Sequence, residues 1–459
     1  MSKDRSDRIK PHNWLIMPLM VTFAALSPEY IAPGFTIFGA IMTMWKPGIR
    51  KQKLSDFAIG YTILAFMIWM VVGAFYAKSI TSPLVNLLLW AMMYSNVWVS
   101  GVWVKTEAHL EKIVHGGAFA AGIAGFIAIL QYVVRLIVGE EKATIINPFW
   151  RIIDIGIEKL VSILPQALSS SLPRTTFKLF PDRSSGTFSN PLFLATFLVA
   201  MLSFCVFCLL NGKNKKEKAL GWVSLLLAIG GIATSFSRGP YLYTALVFVL
   251  LLIYGGKRAL KILGIGSVGA LFVLIFSKSV IRRLLTLAST TDKSINARKR
   301  IWAAMFEKIP DRFVFGYGTG VDSVRSILHN EYNEKQPHAH NIFLEFQMEN
   351  GIIGVLLFVA ILVVFIYSAY KLYRKGGMAK NFAVTFFVAV AGLCMCGMTD
   401  CIFYGLKPLQ YFMLILGLTQ VAVNIYLKDD EKPFAKLQKR LEARKKKPQK
   451  TEEKENVRV

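Results

Sequence analysis

Long apolar runs alternate with short polar or basic stretches along almost the whole chain. The runs lie at 14–26, 31–45, 57–77, 84–104, 113–138, 191–210, 220–236, 241–254, 262–276, 352–370, 382–401 and 409–427. Crossing a bilayer takes about 20 predominantly apolar residues, fewer at a bend. Backbone inside hydrocarbon must bond to itself, so each run predicts a helix. The pattern therefore predicts an all-α polytopic membrane protein with about twelve transmembrane helices. One domain covers 1–427 and includes two outer loops, 139–190 and 277–351, the larger between the ninth and tenth spans. Residues 428–459 form a basic tail.

The pattern changes character at His340-Asn341-Ile342-Phe343-Leu344-Glu345-Phe346-Gln347-Met348-Glu349-Asn350-Gly351-Ile352-Ile353-Gly354. Glu345, Gln347 and Glu349 are expensive in hydrocarbon. Asn350-Gly351 is a helix-stop signal. The stretch thus reads as two helices meeting at a break: a short one at the water boundary over 340–350, and a membrane helix after Gly351. His340 then sits at the positive end of the short helix, which favours the uncharged ring. A neutral imidazole is a competent general base. The bland alternative is a residue that merely caps a helix.

Composition narrows the class. Hydrophobic residues make up 54% of the 459 positions, and the mean hydropathy is +0.46, beyond the range of a soluble domain. The formal net charge of +26 does not point to nucleic acid. The basic residues cluster between apolar runs, as at Lys46, Arg50, Lys51 and Lys53, and in the tail at Arg444-Lys445-Lys446-Lys447. Positive cytoplasmic loops and contact with anionic lipid account for that distribution. It puts both termini on the cytoplasmic side, with an uncleaved first span. Trp150–Leu160 reads as an amphipathic surface helix, and 434–441 as another. All five cysteines fall in or beside apolar runs and read as small core residues.

Arginine is unexpected on the outer face, yet three segments carry it there. Arg183 opens Arg183-Ser184-Ser185-Gly186-Thr187-Phe188-Ser189-Asn190-Pro191, Arg238 lies in Ser237-Arg238-Gly239, and Arg298 precedes Trp302 by one helical turn. A guanidinium donates two parallel bonds to a phosphate and stays charged when partly buried. Taken singly, each arginine is also compatible with a snorkelling side chain. Arg298 and Trp302 share a helix face and could offer a cation beside a sugar-stacking ring, or simply pack the loop. Gly316, Gly318 and Gly320 form a turn rather than a nucleotide cradle, since no strand context accompanies them.

These motifs in this order resemble the O-antigen ligase and Wzy-type polymerase superfamily. His340-Asn341 followed by Gly351 and Gly354 is similar to its His-Asn…Gly-x-x-Gly signature, with Val355 where the family often has Ser or Thr. The Arg183 stretch, the Ser-Arg-Gly turn and the Arg298…Trp302 loop also resemble family segments. The resemblance covers about 183–355. It implies a GT-C-like glycosyltransferase in the bacterial cytoplasmic membrane with an extracytoplasmic site. The donor would be an undecaprenyl-diphosphate-linked glycan and the acceptor a hydroxyl on a glycan, lipid or wall polymer.

In that scheme His340 is the base and Arg183, Arg238 and Arg298 hold the diphosphate, with Asn341, Trp302, Gly351 and Gly354 in support. No cofactor or metal is expected, because the outer loops lack an Asp-x-Asp pair and Asp322, Glu331 and Glu334 read as solvated. Direct displacement inverts the anomeric centre. Polymerase and ligase remain equally compatible with these residues. The different-class alternative is a transporter or flippase, which is expected to show midplane ionisable groups and repeat symmetry.

Overall fold

A computed structural model describes residues 16–27, 29, 31–44, 55–138, 183–276 and 293–443. Among them every regular element is helical. The first five helices are α1 (Ile16–Leu26), α2 (Ala32–Met44), α3 (Ala58–Ala74), α4 (Thr81–Trp103) and α5 (Glu107–Val138). Then come α6 (Pro191–Asn211), α7 (Lys215–Thr234), α8 (Arg238–Phe276), α9 (Lys293–Lys308) and α10 (Val321–Tyr332). The chain closes with α11 (Ile342–Lys375), α12 (Gly377–Gly397) and α13 (Leu406–Tyr426). The expected helix at 150–160 and the basic run 444–447 lie outside the described residues.

Eight of these helices are long and apolar enough to cross a membrane, fewer than the twelve runs in the sequence. The difference has identifiable causes. Helices α1 and α2 have 11 and 13 residues, short of a full crossing at about 1.5 Å per residue. The predicted eighth and ninth spans are two helical stretches of α8 that meet at Gly256, where φ is 65° and ψ −158°, and the first of them, Arg238–Tyr254, is itself short. The predicted run 382–401 is among the eight, although α12 ends at Gly397 and a turn follows before α13.

Helix α6 lies deepest, packed by α5, α7, α8 and α12, and α13 is nearly as enclosed beside α4 and α12. Asn190 caps α6 by accepting from Leu192 N at 2.8 Å, with Pro191 in the first turn. An aromatic cluster joins the other side of the bundle. The rings of Phe346 and Phe358 lie 4.8 Å apart and those of Phe403 and Phe412 4.7 Å apart, with Phe66 and Trp90 completing the group. A separate small core of Ile301, Met305, Val324, Leu328 and Met348 binds α9 and α10 onto the start of α11.

The break in α11 falls at Gly351, with φ 64° and ψ −172°, as the sequence predicts. The first part of the helix is covered by protein rather than exposed, however. Glu345, Gln347 and Glu349 are all buried, and Gln347 Nε2 donates to Phe313 O at 2.9 Å. Protein groups rather than water satisfy this helix, which lets its polar residues lie beneath the loop.

The bend frees three carbonyls, and each finds a donor. Tyr317 N donates to Met348 O at 2.7 Å, Gly318 N to Glu349 O at 3.0 Å, and Trp69 Nε1 to Asn350 O at 2.8 Å. Ile352 N donates back to Phe313 O at 2.9 Å. A buried carbonyl left without a donor costs about 1–3 kcal/mol, so the segment 313–318 stabilises the break strongly. Such close backbone approach requires glycine. A Cβ on Gly351 would lie 2.1 Å from Val314 O, and one on Gly316 would lie 2.6 Å from Gly351 N.

Gly351→Ala combines a left-handed backbone with that overlap. It is expected to cost more than about 2 kcal/mol and to lower the unfolding midpoint of the detergent-purified protein. An unchanged midpoint would show that the loop does not grip the helix here.

Candidate functional site

The histidine turn is held from both sides. Asn341 caps α11, its Oδ1 accepting from Phe343 N at 2.9 Å and Leu344 N at 3.2 Å. Its Nδ2 donates to Met398 O at 3.1 Å, which ties the cap to the turn after α12. The peptide between the two histidines is fixed at both poles: Ala339 N donates to Glu345 Oε2 at 2.6 Å, and Ala339 O accepts from Trp302 Nε1 at 2.9 Å. His340 itself has φ 52°, a conformation a branched or bulky residue adopts only when its surroundings enforce it.

The turn after α12 supplies the partner for the ring. His340 Nδ1 lies 3.2 Å from Asp400 Oδ1, which also accepts from Cys401 N at 2.8 Å. Burial by itself would raise the Asp400 carboxyl. The hydrogen bond from His340 and the positive fields of His340, His338 and Arg298 outweigh it and hold the group at about 2. The carboxylate is therefore ionised, and it selects the tautomer with the proton on Nδ1, leaving Nε2 as an acceptor. His338 packs edge-on to His340 with ring centres 4.3 Å apart and stacks on Tyr404 at 6.2 Å. Burial pushes His338 down to about 4, and its Nδ1 is enclosed with no hydrogen-bond partner.

Behind the histidines lies a fully enclosed polar group. Tyr404 hydroxyl lies 3.2 Å from Glu345 Oε1 and also bonds Glu349 Oε1, while Cys401 Sγ donates to Glu345 Oε2 at 3.4 Å. Cys401 is thus more than the small core residue its apolar neighbours indicate.

The three arginine segments approach the same turn by different routes. Arg183 donates from Nε to Ser235 O at 2.9 Å and from Nη2 to Ser237 Oγ at 2.6 Å, so it fastens the turn that presents Arg238. Arg238 opens α8, and the following residue packs on the turn after α12. A Cβ on Gly239 would lie 3.2 Å from Thr399 Oγ1, which accepts from Tyr243 hydroxyl at 3.1 Å. Arg298 lies on α9, acts electrostatically on Asp400, and keeps a buried Nε without an acceptor.

Two expected supports also serve the frame. Trp302 braces Ala339 through its indole N–H. Gly351 and Gly354 shape the bend, the latter against Asn350 and Trp69. The outer-loop acids expected to be solvated are paired instead: Asp322 with Arg325, Glu331 with Lys308 and Glu334 with Arg300.

Sequence reasoning missed four residues. Asp400 hid within the last two positions of the apolar run 382–401, where it is the run's one acidic residue. Tyr404 sits in the same short connection. Lys407, fully buried, donates to Ala25 O at 2.9 Å and Thr187 O at 2.8 Å and lies 3.9 Å from the Phe188 ring centre. Glu29, also buried, accepts from Ser189 N at 2.9 Å. The last two wire the Gly186-Thr187-Phe188 motif to α1 and α13, and a basic residue just before a predicted span, in a short connection between two apolar runs, was the available signal.

His338, His340 and Asp400 also offer three ligand atoms within 4.8 Å of one another, a donor set that zinc-like ions accept. The nearby positive field of Arg298 opposes a cation there.

Residues 223–359 match the family model described as O-Antigen ligase, Wzy_C. A comparison with curated proteins finds no match.

Replacing Asn341 with Ala removes a cap worth about 1 kcal/mol and a hydrogen bond worth about 1 kcal/mol. The unfolding midpoint of Asn341→Ala is expected to fall, with Asn341→Ser recovering the cap part of the loss. Equal midpoints for wild type and the Ala variant would count against this link between α11 and the turn after α12.

Proposed function

Since residues 223–359 belong to the O-antigen ligase superfamily, we propose that the protein transfers a glycan from an undecaprenyl-diphosphate carrier to a hydroxyl acceptor. The reaction takes place at the outer face of the cytoplasmic membrane. The observation that carries this reading is the contact of His340 Nδ1 with ionised Asp400 beside three arginine-bearing segments.

In the reaction the acceptor oxygen attacks the anomeric carbon while its proton passes to His340 Nε2. The bond from that carbon to the carrier diphosphate breaks, and its electron pair stays on the diphosphate oxygen. A glycosidic bond and free polyprenyl diphosphate result, with inversion at carbon. Asp400 orients the ring and stabilises the imidazolium that forms, as a carboxylate behind a histidine base does in other transfer enzymes. A base so positioned contributes about 10²–10⁴ in rate.

Arg298, with its buried unpartnered Nε, and Arg238 are the groups proposed to bind the leaving diphosphate and stabilise the charge that develops on it. Arg183 serves by fixing the Arg238 turn. With guanidinium groups in this role and Asp400 engaged by His340, the leaving group needs no metal. Transport is less well supported, because buried Lys407 has its ammonium bonded to two carbonyls rather than facing a pathway.

The test is incubation of the purified protein with a carrier-linked oligosaccharide and its acceptor, read by product mass. His340→Ala is expected to lower turnover by about 10²–10⁴ while the protein still purifies folded. Wild-type turnover by that variant would remove the base assignment. Turnover is further expected to be unchanged in a strong chelator. Loss that a divalent ion restores would instead assign the His338, His340 and Asp400 donors to a metal.

A further inference from the structure

The end of the bundle remote from His340 contains two adjoining cavities framed by α6, α8, α11 and α12. Tyr254 and Val384 line both. One has a volume of 430 Å³ and walls made chiefly of Ile366, Ala369, Tyr370, Tyr373 and Phe387. The other, of 190 Å³, carries Asn211, Lys380, Asn381 and Thr385. From Gly351 to Ala369 the helix rises about 27 Å, so these chambers are far from the histidine turn.

Their chemistry is amphipathic in one direction. The larger chamber opens where Ile366 and Tyr370 are exposed on the bilayer-facing side of α11. Its volume falls within the range of about 300–1,000 Å³ typical of small-ligand sites. At its polar limit Arg374 approaches the Tyr370 hydroxyl at 3.5 Å, and Lys380 lies 4.9 Å from the Tyr373 ring centre. Both cations line the chambers and no carboxylate does. Glu431 is directed at the neighbouring Lys375, 3.7 Å away. Among the described residues, neither Arg374 nor Lys380 forms an ion pair. Two uncompensated cations at the rim of an apolar chamber open to hydrocarbon recognise a group that is anionic at one end and aliphatic at the other.

We propose that an anionic phospholipid occupies this site, its phosphate between Arg374 and Lys380 and one acyl chain in the apolar chamber between α11 and α12. A basic pocket between membrane helices is suited to such headgroups. A free anion would leave the larger chamber empty, and a zwitterionic lipid would bring a further positive charge to a rim that already holds two. The site is separate from the glycan-transfer site and does not depend on that activity.

The experiment is native mass spectrometry of the delipidated full chain titrated with phosphatidylglycerol, with phosphatidylcholine of the same acyl chains, and with inorganic phosphate. Wild type is expected to retain phosphatidylglycerol at least about tenfold better than phosphatidylcholine, since both basic groups attract a net negative headgroup. Excess phosphate alone should not displace it. Arg374→Gln with Lys380→Gln should abolish the preference, and Ala369→Trp should lower retention of both lipids by filling the chamber. The double variant changes rim residues only and carries the test if the Trp variant fails to fold. Equal retention of the two lipids by wild type, an undiminished preference in the double variant, or displacement by phosphate would each overturn the proposal.

Discussion

A helix cannot bend inside a protein without exposing backbone groups, and the site in this molecule depends on how one such exposure is resolved. The bend at Gly351 turns the first part of α11 away from the membrane segment and leaves the carbonyls of Met348, Glu349 and Asn350 free. The segment Tyr317-Gly318 and the indole of Trp69 supply the missing donors. The loop carrying Arg298 is thereby fixed to the helix that carries His340. Without that seam the arginine and the histidine would belong to independently moving parts, and no fixed geometry between them would exist.

The other half of the arrangement is built from buried charge. Lys407 lies among the Ala25 and Thr187 carbonyls and the face of Phe188, and Glu29 receives Ser189. A buried ionisable group that is hydrogen-bonded costs far less than one left alone, and losing its partner is expensive. These groups therefore hold α1, the stretch after Arg183 and the start of α13 in a single register. Arg183 in turn fastens Ser235 and Ser237, and the following helix meets Thr399, next to Asp400. The contacts form a chain from the first helix to the histidine.

Much of this was legible in the sequence. The helical class, the break at Gly351 and the turn made by Gly316, Gly318 and Gly320 follow from apolar period and breakers. What stayed hidden has a common cause. Hydropathy averages over a window, so Asp400 and Lys407 vanish into the flanks of apolar runs, and Glu345 looks solvated when it is bonded to Ala339 N. The role of Trp302 was hidden for another reason. Whether an indole stacks on a ligand or holds a carbonyl depends on a loop 37 residues away, which local pattern does not reveal. The count of spans shifted because a kinked helix and two short ones each read as full crossings.

The seam between loop and helix is formed largely by peptide groups, with glycines where the two chains touch. Side chains of the loop outside those contacts, such as Phe313 and Val314, which are exposed, are free of that duty. The outward surface of the loop can therefore diversify in shape and chemistry over evolutionary time while the frame beneath it stays the same. Variation in what is recognised is thus separated, by construction, from the scaffold that holds the reacting groups.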